Sequence, residues 1–182
     1  MIFSTPSSTY NILKRLKPMT DQPTIRILLV DDEKSLLEYL SKRLLKKGHT
    51  VRAVFSGEEA VEVAKNEYFD VAVVDLKMPG IDGVETQKRL RESQPFLQCI
   101  VLTGHGSIES ALESGQQDAF QYMHKPVDHD ALLASINGAY EKKLQIQEVK
   151  FREQVEEFYR SGMGAHGIKK AIAKLHKIYG IK

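Results

Sequence analysis

Cysteine is almost absent from this chain, and Cys99 is the single thiol in 182 residues. One thiol cannot build a cysteine-rich metal centre. Its place in the apolar run Cys99-Ile100-Val101-Leu102 predicts a reduced core residue rather than a catalytic one. Long apolar runs are missing too. Stretches such as Ile27-Leu28-Leu29-Val30 and Val71-Ala72-Val73-Val74 are far shorter than the roughly 20 residues that cross a bilayer, so no transmembrane segment is expected. The first 23 residues carry Lys14, Arg15 and Lys17 without the apolar stretch or small-residue cleavage site of a secretory signal. A cytoplasmic protein is expected. Metal-binding histidine spacing is likewise lacking: His49, His129, His166 and His176 are scattered, and His105 and His124 merely neighbour other polar residues. No zinc site is expected.

What is present is a chain of 42% hydrophobic and 27% charged residues, enough for one globular domain and an appendage. Its net charge of +2 hides a segregation. Residues 24–140 hold 13 Lys and Arg against 18 Asp and Glu, whereas 141–182 hold 10 against 5. Residues 1–23 open on Ser4-Thr5-Pro6-Ser7-Ser8-Thr9 and are expected to be a disordered leader. Met19, just ahead of the first apolar run, is a candidate initiator.

From Ile25 to about Ala139, short apolar runs alternate with stretches of helical period, the pattern of βα units around a parallel sheet. Five strands are predicted at about Ile25–Val30, Thr50–Val54, Val71–Val74, Gln98–Leu102 and Ala119–Met123, buried on both faces. Helices are predicted to begin near Lys34, Glu58, Val84, Ser107 and Asp128. In the first, Leu36, Leu37, Leu40, Leu44 and Leu45 form the apolar stripe. Gly48 should end it, Pro79-Gly80 and Asp82-Gly83 should mark a loop, and Asp128 should cap the last helix of the domain. The expected fold is α/β: a doubly wound, five-stranded parallel sheet of flavodoxin-like order 2-1-3-4-5, with an extended C-terminal helical tail. Such sheets place their sites beyond the carboxyl ends of the strands.

The predicted strand ends are unusually polar: Val30-Asp31-Asp32-Glu33, Val74-Asp75-Leu76-Lys77, Leu102-Thr103-Gly104-His105 and Tyr122-Met123-His124-Lys125-Pro126. The topology brings Asp31, Asp32, Asp75, Thr103 and Lys125 together. Converging carboxylates repel, and each tends to take up a proton unless a cation neutralises the cluster. All-oxygen ligation by a few carboxylates, a carbonyl and water suits Mg²⁺.

As a set, these residues resemble the receiver domain of two-component response regulators. The resemblance spans about Ile25 to Tyr140 and rests on Asp31-Asp32, on Asp75-Leu76-Lys77-Met78-Pro79-Gly80-Ile81-Asp82-Gly83, on Thr103, and on Lys125-Pro126. Thr103-Gly104-His105-Gly106 is similar to the nitrogen-regulatory type, although no later segment is long enough for that group's ATPase. The resemblance implies that Asp75 is the phosphoacceptor for a sensor histidine kinase or phosphotransfer protein. It implies that Asp32, Asp75 and the Lys77 backbone carbonyl bind Mg²⁺, that Asp31 assists through water, and that the Lys125-Pro126 peptide is cis.

Under this resemblance Asp75 is a nucleophile, and Mg²⁺ and Lys125 neutralise the transferring oxygens. The acyl phosphate then attracts the Thr103 hydroxyl, and Tyr122 follows inward as the switch aromatic. Lys77 and His105 flank the pocket and bear on the lifetime of the phosphoryl group. The chain is expected to be a phosphoacceptor rather than a turnover enzyme. Phosphatases with an aspartyl nucleophile share the fold, but would want a second Asp where Lys77 stands.

Beyond Asp128, Ile136, Tyr140, Leu144, Phe151, Val155 and Phe158 keep a helical stripe to about Tyr159. Gly162, Gly164 and Gly167 are expected to interrupt it. A short basic helix is expected to follow, with Ile168, Ala171, Ile172, Leu175 and Ile178 on one face and Lys169, Lys170, Lys174 and Lys177 beside it. Three outputs compete for this tail, beside the plainer alternative that it folds back and covers the domain. Apolar stripes favour docking or a homodimer through the C-terminal helices. Six Lys and Arg without an acid from Phe158 to Lys182 favour DNA binding, although two helices are few for a DNA-reading domain. A basic amphipathic helix also fits a membrane surface.

Overall fold

The computed structural model describes residues 23–104, 119–162 and 164–179. Residues 1–22 of the leader, residues 105–118 with the helix expected near Ser107, Met163 and residues 180–182 lie outside them, as do the side chains of Ala165 and residues 176–179.

Five parallel strands form one sheet: β1 (Arg26–Val30), β2 (Thr50–Val54), β3 (Val71–Asp75), β4 (Gln98–Thr103) and β5 (Gln121–His124). Their order is β2-β1-β3-β4-β5, as expected. Among the described residues the helices are α1 (Lys34–Lys46), α2 (Gly57–Ala64), α3 (Gly83–Ser93), α4 (His129–Arg160) and α5 (Ala165–Tyr179).

Alternate residues of the central strands serve the two faces, because successive side chains of a strand point to opposite sides. Ile27, Leu29, Val71, Val73, Ile100 and Leu102 pack under Leu37, Leu40 and Leu44 of α1 and Leu132, Ile136 and Ala139 of α4. Leu28, Val30, Ala72, Val74 and Cys99 face the other way, against Ala60 and Ala64 of α2 and Leu90 of α3. Each large aliphatic side chain buried this way contributes about 1.5–3 kcal/mol. The edge strands depart from the expected burial on both faces: Thr50 and Arg52 are exposed on β2, and Gln121 and His124 on β5. They lack a second neighbouring strand, so their outer residues meet solvent.

Local chemistry sets the helix ends. Gly48, at φ +88°, lets the chain turn back after α1, so that the His49 amide bonds the Leu44 carbonyl at 3.2 Å. Leu45 is 55% exposed and falls outside the buried stripe expected for it. Asp128 accepts the Ala131 amide at 2.8 Å and caps α4.

Helix α4 runs unbroken through Tyr140 for 32 residues. Its buried face continues through Lys143 and Gln147, while Leu144 is 42% exposed, which corrects the stripe expected there. Lys143 occupies the inward position because Asp70, just ahead of β3, gives it a buried partner. The chain turns at Gly162 (φ +70°), and α5 packs back on α4, burying Ile168 and Leu175. Gly167 lies inside α5 rather than interrupting the tail. Among the described residues, no helix is long and apolar enough to cross a membrane.

Candidate functional site

Strand register brings the polar residues level. Val30 pairs with Val74, so Asp31 and Asp75 emerge together. Asp75 pairs with Leu102 and Thr103 with His124, which sets Thr103 one step and Lys125 two steps beyond. The Lys125 amide then bonds the Thr103 carbonyl at 2.8 Å, and the Lys125-Pro126 peptide is cis.

One carboxylate oxygen from each of Asp31, Asp32 and Asp75 lies within 4.8 Å of the others. Lys125 Nζ sits 2.7 Å from Asp31 Oδ2 and 3.0 Å from Asp75 Oδ1. Asp31 Oδ1 accepts the Glu33 amide at 2.9 Å. Its buried Oδ2 receives no well-directed hydrogen bond, so the 2.7 Å contact is an ion pair that leaves a lone pair free. Burial pushes the Asp75 pKa above the usual carboxylate value; Lys125 opposes this, while Asp31 and Asp32 add to it. Burial works against the charge of Lys125 itself, but its pairs with Asp31 and Asp75 prevail and hold its pKa above the ordinary lysine value.

Three carboxylates facing one ammonium leave two negative charges uncompensated. That surplus, the all-oxygen donor set and the free lone pair of Asp31 fit a hard divalent cation. Among the described residues this is the acidic cluster able to hold a metal ion.

Thr103 is buried, and its hydroxyl donates to the Gly104 carbonyl at 3.1 Å. Tyr122 is half-buried and packs on Leu76 and Val101. Lys77 is exposed in the loop after β3. His105, paired with it in the sequence reading, lies outside the described residues.

Two supports of this site escaped the sequence reading. A Cβ on Gly83 would stand 2.3 Å from the Asp75 carbonyl oxygen, so the N-terminus of α3 abuts the end of β3 only because residue 83 has no side chain. Asp82-Gly83 reads as a loop signal from sequence, and the close approach has no local signature. Glu58, at the start of α2, reaches across to accept the Ile81 amide at 2.9 Å.

With this geometry in place, residues 27–137 match the response regulator receiver domain family. The chain belongs to that family. Among similar proteins, the transcriptional regulatory protein GlrR of Escherichia coli strain K12 is 36% identical over 137 residues, covering 75% of this receiver chain and 31% of GlrR. The DNA-binding transcriptional regulator NtrC of the same strain is 33% identical over 113 residues, covering 62% and 24%, in accord with the nitrogen-regulatory resemblance. A solved response regulator receiver domain protein from Clostridium thermocellum superposes with a TM-score of 0.62 at 31% identity, covering 67% of this chain and 98% of that one. The receiver therefore spans less than a third of these two curated relatives.

Proposed function

We propose that this receiver accepts a phosphoryl group on Asp75 from a sensor histidine kinase or phosphotransfer protein, in the cytoplasm, and that the change is read out through its last helices. The observation that carries this reading is the three-carboxylate cluster with Lys125 Nζ bridging Asp31 and Asp75. Asp32, Asp75 and the Lys77 carbonyl would hold Mg²⁺, with Asp31 acting through water. When bound, that ion supplies positive charge for the transferring oxygens and relieves the repulsion among the carboxylates.

An Asp75 oxygen attacks phosphorus, the O–P bond forms as the donor's P–N bond breaks, and the imidazole departs with the electron pair. Lys125, held by Asp31 when Asp75 becomes phosphorylated, stays beside the transferred group and offsets its charge. The acyl phosphate carries about two negative charges. It draws the Thr103 hydroxyl from the Gly104 carbonyl, and Tyr122 repacks over Leu76 and Val101. The pair forms a two-state element biased by one local charge. Each molecule accepts one phosphoryl group and is not a turnover enzyme.

Incubation with acetyl phosphate and Mg²⁺, followed by intact mass measurement, tests the reading. One phosphoryl group should add to the wild type and none to Asp75→Asn. Catalytic turnover of a phosphate ester would sink it.

For output, docking or homodimerisation through α4 and α5 is the first reading, supported by Leu144, Val149 and Tyr159, which stay exposed along α4. The names of GlrR and NtrC, with the exposed Lys169, Lys170 and Lys174 of α5, favour a second, transcriptional reading in which α5 meets DNA phosphates. Salt-dependent binding of random DNA that weakens when these three lysines are changed to glutamine would promote the second.

A further inference from the structure

We infer that Glu58 is a positioning residue of the phosphorylation site: from helix α2 it fixes the loop 77–81 that carries the Lys77 carbonyl, and so sets the affinity of the site for Mg²⁺.

Neighbouring glutamates at the start of α2 have different work. Ser56 caps the helix by accepting the Glu59 amide at 3.2 Å. Glu59 turns back to accept the Phe55 amide at 3.0 Å, so the two residues close the helix end in the manner of a capping box. The Glu58 carboxylate also interacts with its own amide and with Ser56, and it does one thing more. Its Oε1 leaves its own element and accepts the amide of Ile81, 23 positions away, at 2.9 Å.

The loop is shaped to receive it. Gly80 has φ +81°, and a Cβ there would stand 2.4 Å from Glu58 Oε1, so the carboxylate lies directly over the bare Cα. Beneath it, a Cβ on Gly57 would meet Ile81 Cγ1 at 2.5 Å and Thr86 Oγ1 at 2.1 Å. The start of α2 thus touches both the loop and α3. The loop's other hydrogen bonds sit at its two ends: the Leu76 amide bonds the Leu102 carbonyl at 2.8 Å, and the Gly83 amide bonds the Leu76 carbonyl at 3.0 Å. Lys77 and Gly80 between them are exposed. A carbonyl ligand binds tightly only if its peptide is already held in place, since ordering it on binding costs entropy. Partners behind a ligand commonly govern metal affinity.

The inference rests on the Mg²⁺ reading above, so the experiment separates the two. Calorimetric Mg²⁺ titration is run on full-length wild type, Glu58→Ala and Glu58→Gln, with amide exchange of Ile81 followed by NMR in metal-free samples. The change lies on the surface, and matching circular dichroism melts establish that the variants fold. Glu58→Ala should raise the Mg²⁺ dissociation constant about 3- to 10-fold and speed Ile81 exchange. Glu58→Gln, whose amide oxygen still accepts, should stay within about twofold of wild type in both. Equal Mg²⁺ affinity in wild type and Glu58→Ala overturns the inference, as does a glutamine variant no better than alanine. A wild type that binds no Mg²⁺ defeats the metal reading instead. In that event the exchange rates alone decide whether Glu58 holds the loop.

Discussion

Lys143 of α4 and Asp70, just ahead of β3, form a buried ion pair across 73 positions of sequence, and Arg26 closes the group at 3.1 Å from each Asp70 oxygen. Asp70 also accepts the Arg26 amide at 2.8 Å, so both of its oxygens are engaged. The group lies at the start of β1 and β3, opposite the acidic cluster. It anchors α4 at the point where that helix runs on past the sheet. Removing the carboxylate should cost more than removing the ammonium, because Asp70→Ala strands Lys143 while Lys143→Met leaves Asp70 paired with Arg26. Urea unfolding is expected to show a loss of about 3–5 kcal/mol for Asp70→Ala and about 1 kcal/mol for Lys143→Met. Equal losses would mean that the pair does not hold α4.

The same group sets a pH dependence. Burial works against the charge of Asp70, yet its bonds from Arg26 and Lys143 outweigh burial and hold its pKa below the ordinary aspartate value. A carboxyl lowered on folding adds stability above its unfolded pKa, about 3.9, and loses it as pH falls through the lower folded value. The stability difference between wild type and Asp70→Asn should therefore be flat from pH 7 to about 5 and shrink below about 4. A difference that instead shrank between pH 7 and 5 would assign the effect to another group.

Much of this was legible in the sequence because strands buried on two faces leave unbroken apolar runs. Four strand ends were polar where apolar runs stopped, and that contrast marked Asp31, Asp75, Thr103 and Lys125. Strand limits were less legible, since pairing sets them: β5 starts at Gln121 rather than Ala119 because Gln121 is the residue opposite Ile100. The buried place of Lys143 has no signature in the sequence, because nothing near it announces Asp70. Glu58 and Glu59 are chemically identical neighbours, and only the folded loop distinguishes them.

Cys99 should be inert in the folded protein. It is 1% exposed, and burial raises its thiol pKa to about 12, so thiolate is scarce at any ordinary pH. Ellman's reagent at pH 8 should label less than a tenth of the protein in an hour without denaturant and one thiol per chain in urea. Rapid native labelling would show that β4 opens readily.

Neutralising Asp75 removes one of three crowded carboxylates whose acid form is favoured by burial. A carboxyl raised on folding weakens the fold as pH climbs past its unfolded value. In metal-free buffer at pH 7, Asp75→Asn should therefore melt at or above the wild-type temperature. Mg²⁺ at tenfold its dissociation constant should stabilise the wild type by about 1.4 kcal/mol and the variant by much less. Calorimetric melts with and without the ion check both signs, and an equal Mg²⁺ shift in the two proteins would remove Asp75 from the metal site.

Gly83 places the start of α3 against β3, the strand that carries Asp75. A methyl group there meets the Asp75 carbonyl oxygen at 2.3 Å and Leu76 Cα at 2.8 Å, both backbone atoms that cannot swing aside. Relief requires α3 or the end of β3 to move by several tenths of an ångström, and overpacking of this kind costs about 1–3 kcal/mol. Because the displaced backbone belongs to Asp75 itself, Gly83→Ala should slow phosphorylation by acetyl phosphate more than its stability loss explains. Gly48→Ala supplies the comparison: its methyl meets no atom within 4 Å, and its φ of +88° strains a turn remote from the acidic cluster. At matched fractions folded, intact mass measurement should find the Gly83 variant phosphorylated at least several-fold more slowly than the Gly48 variant. Equal rates would show that the contact shapes only the fold and not the nucleophile.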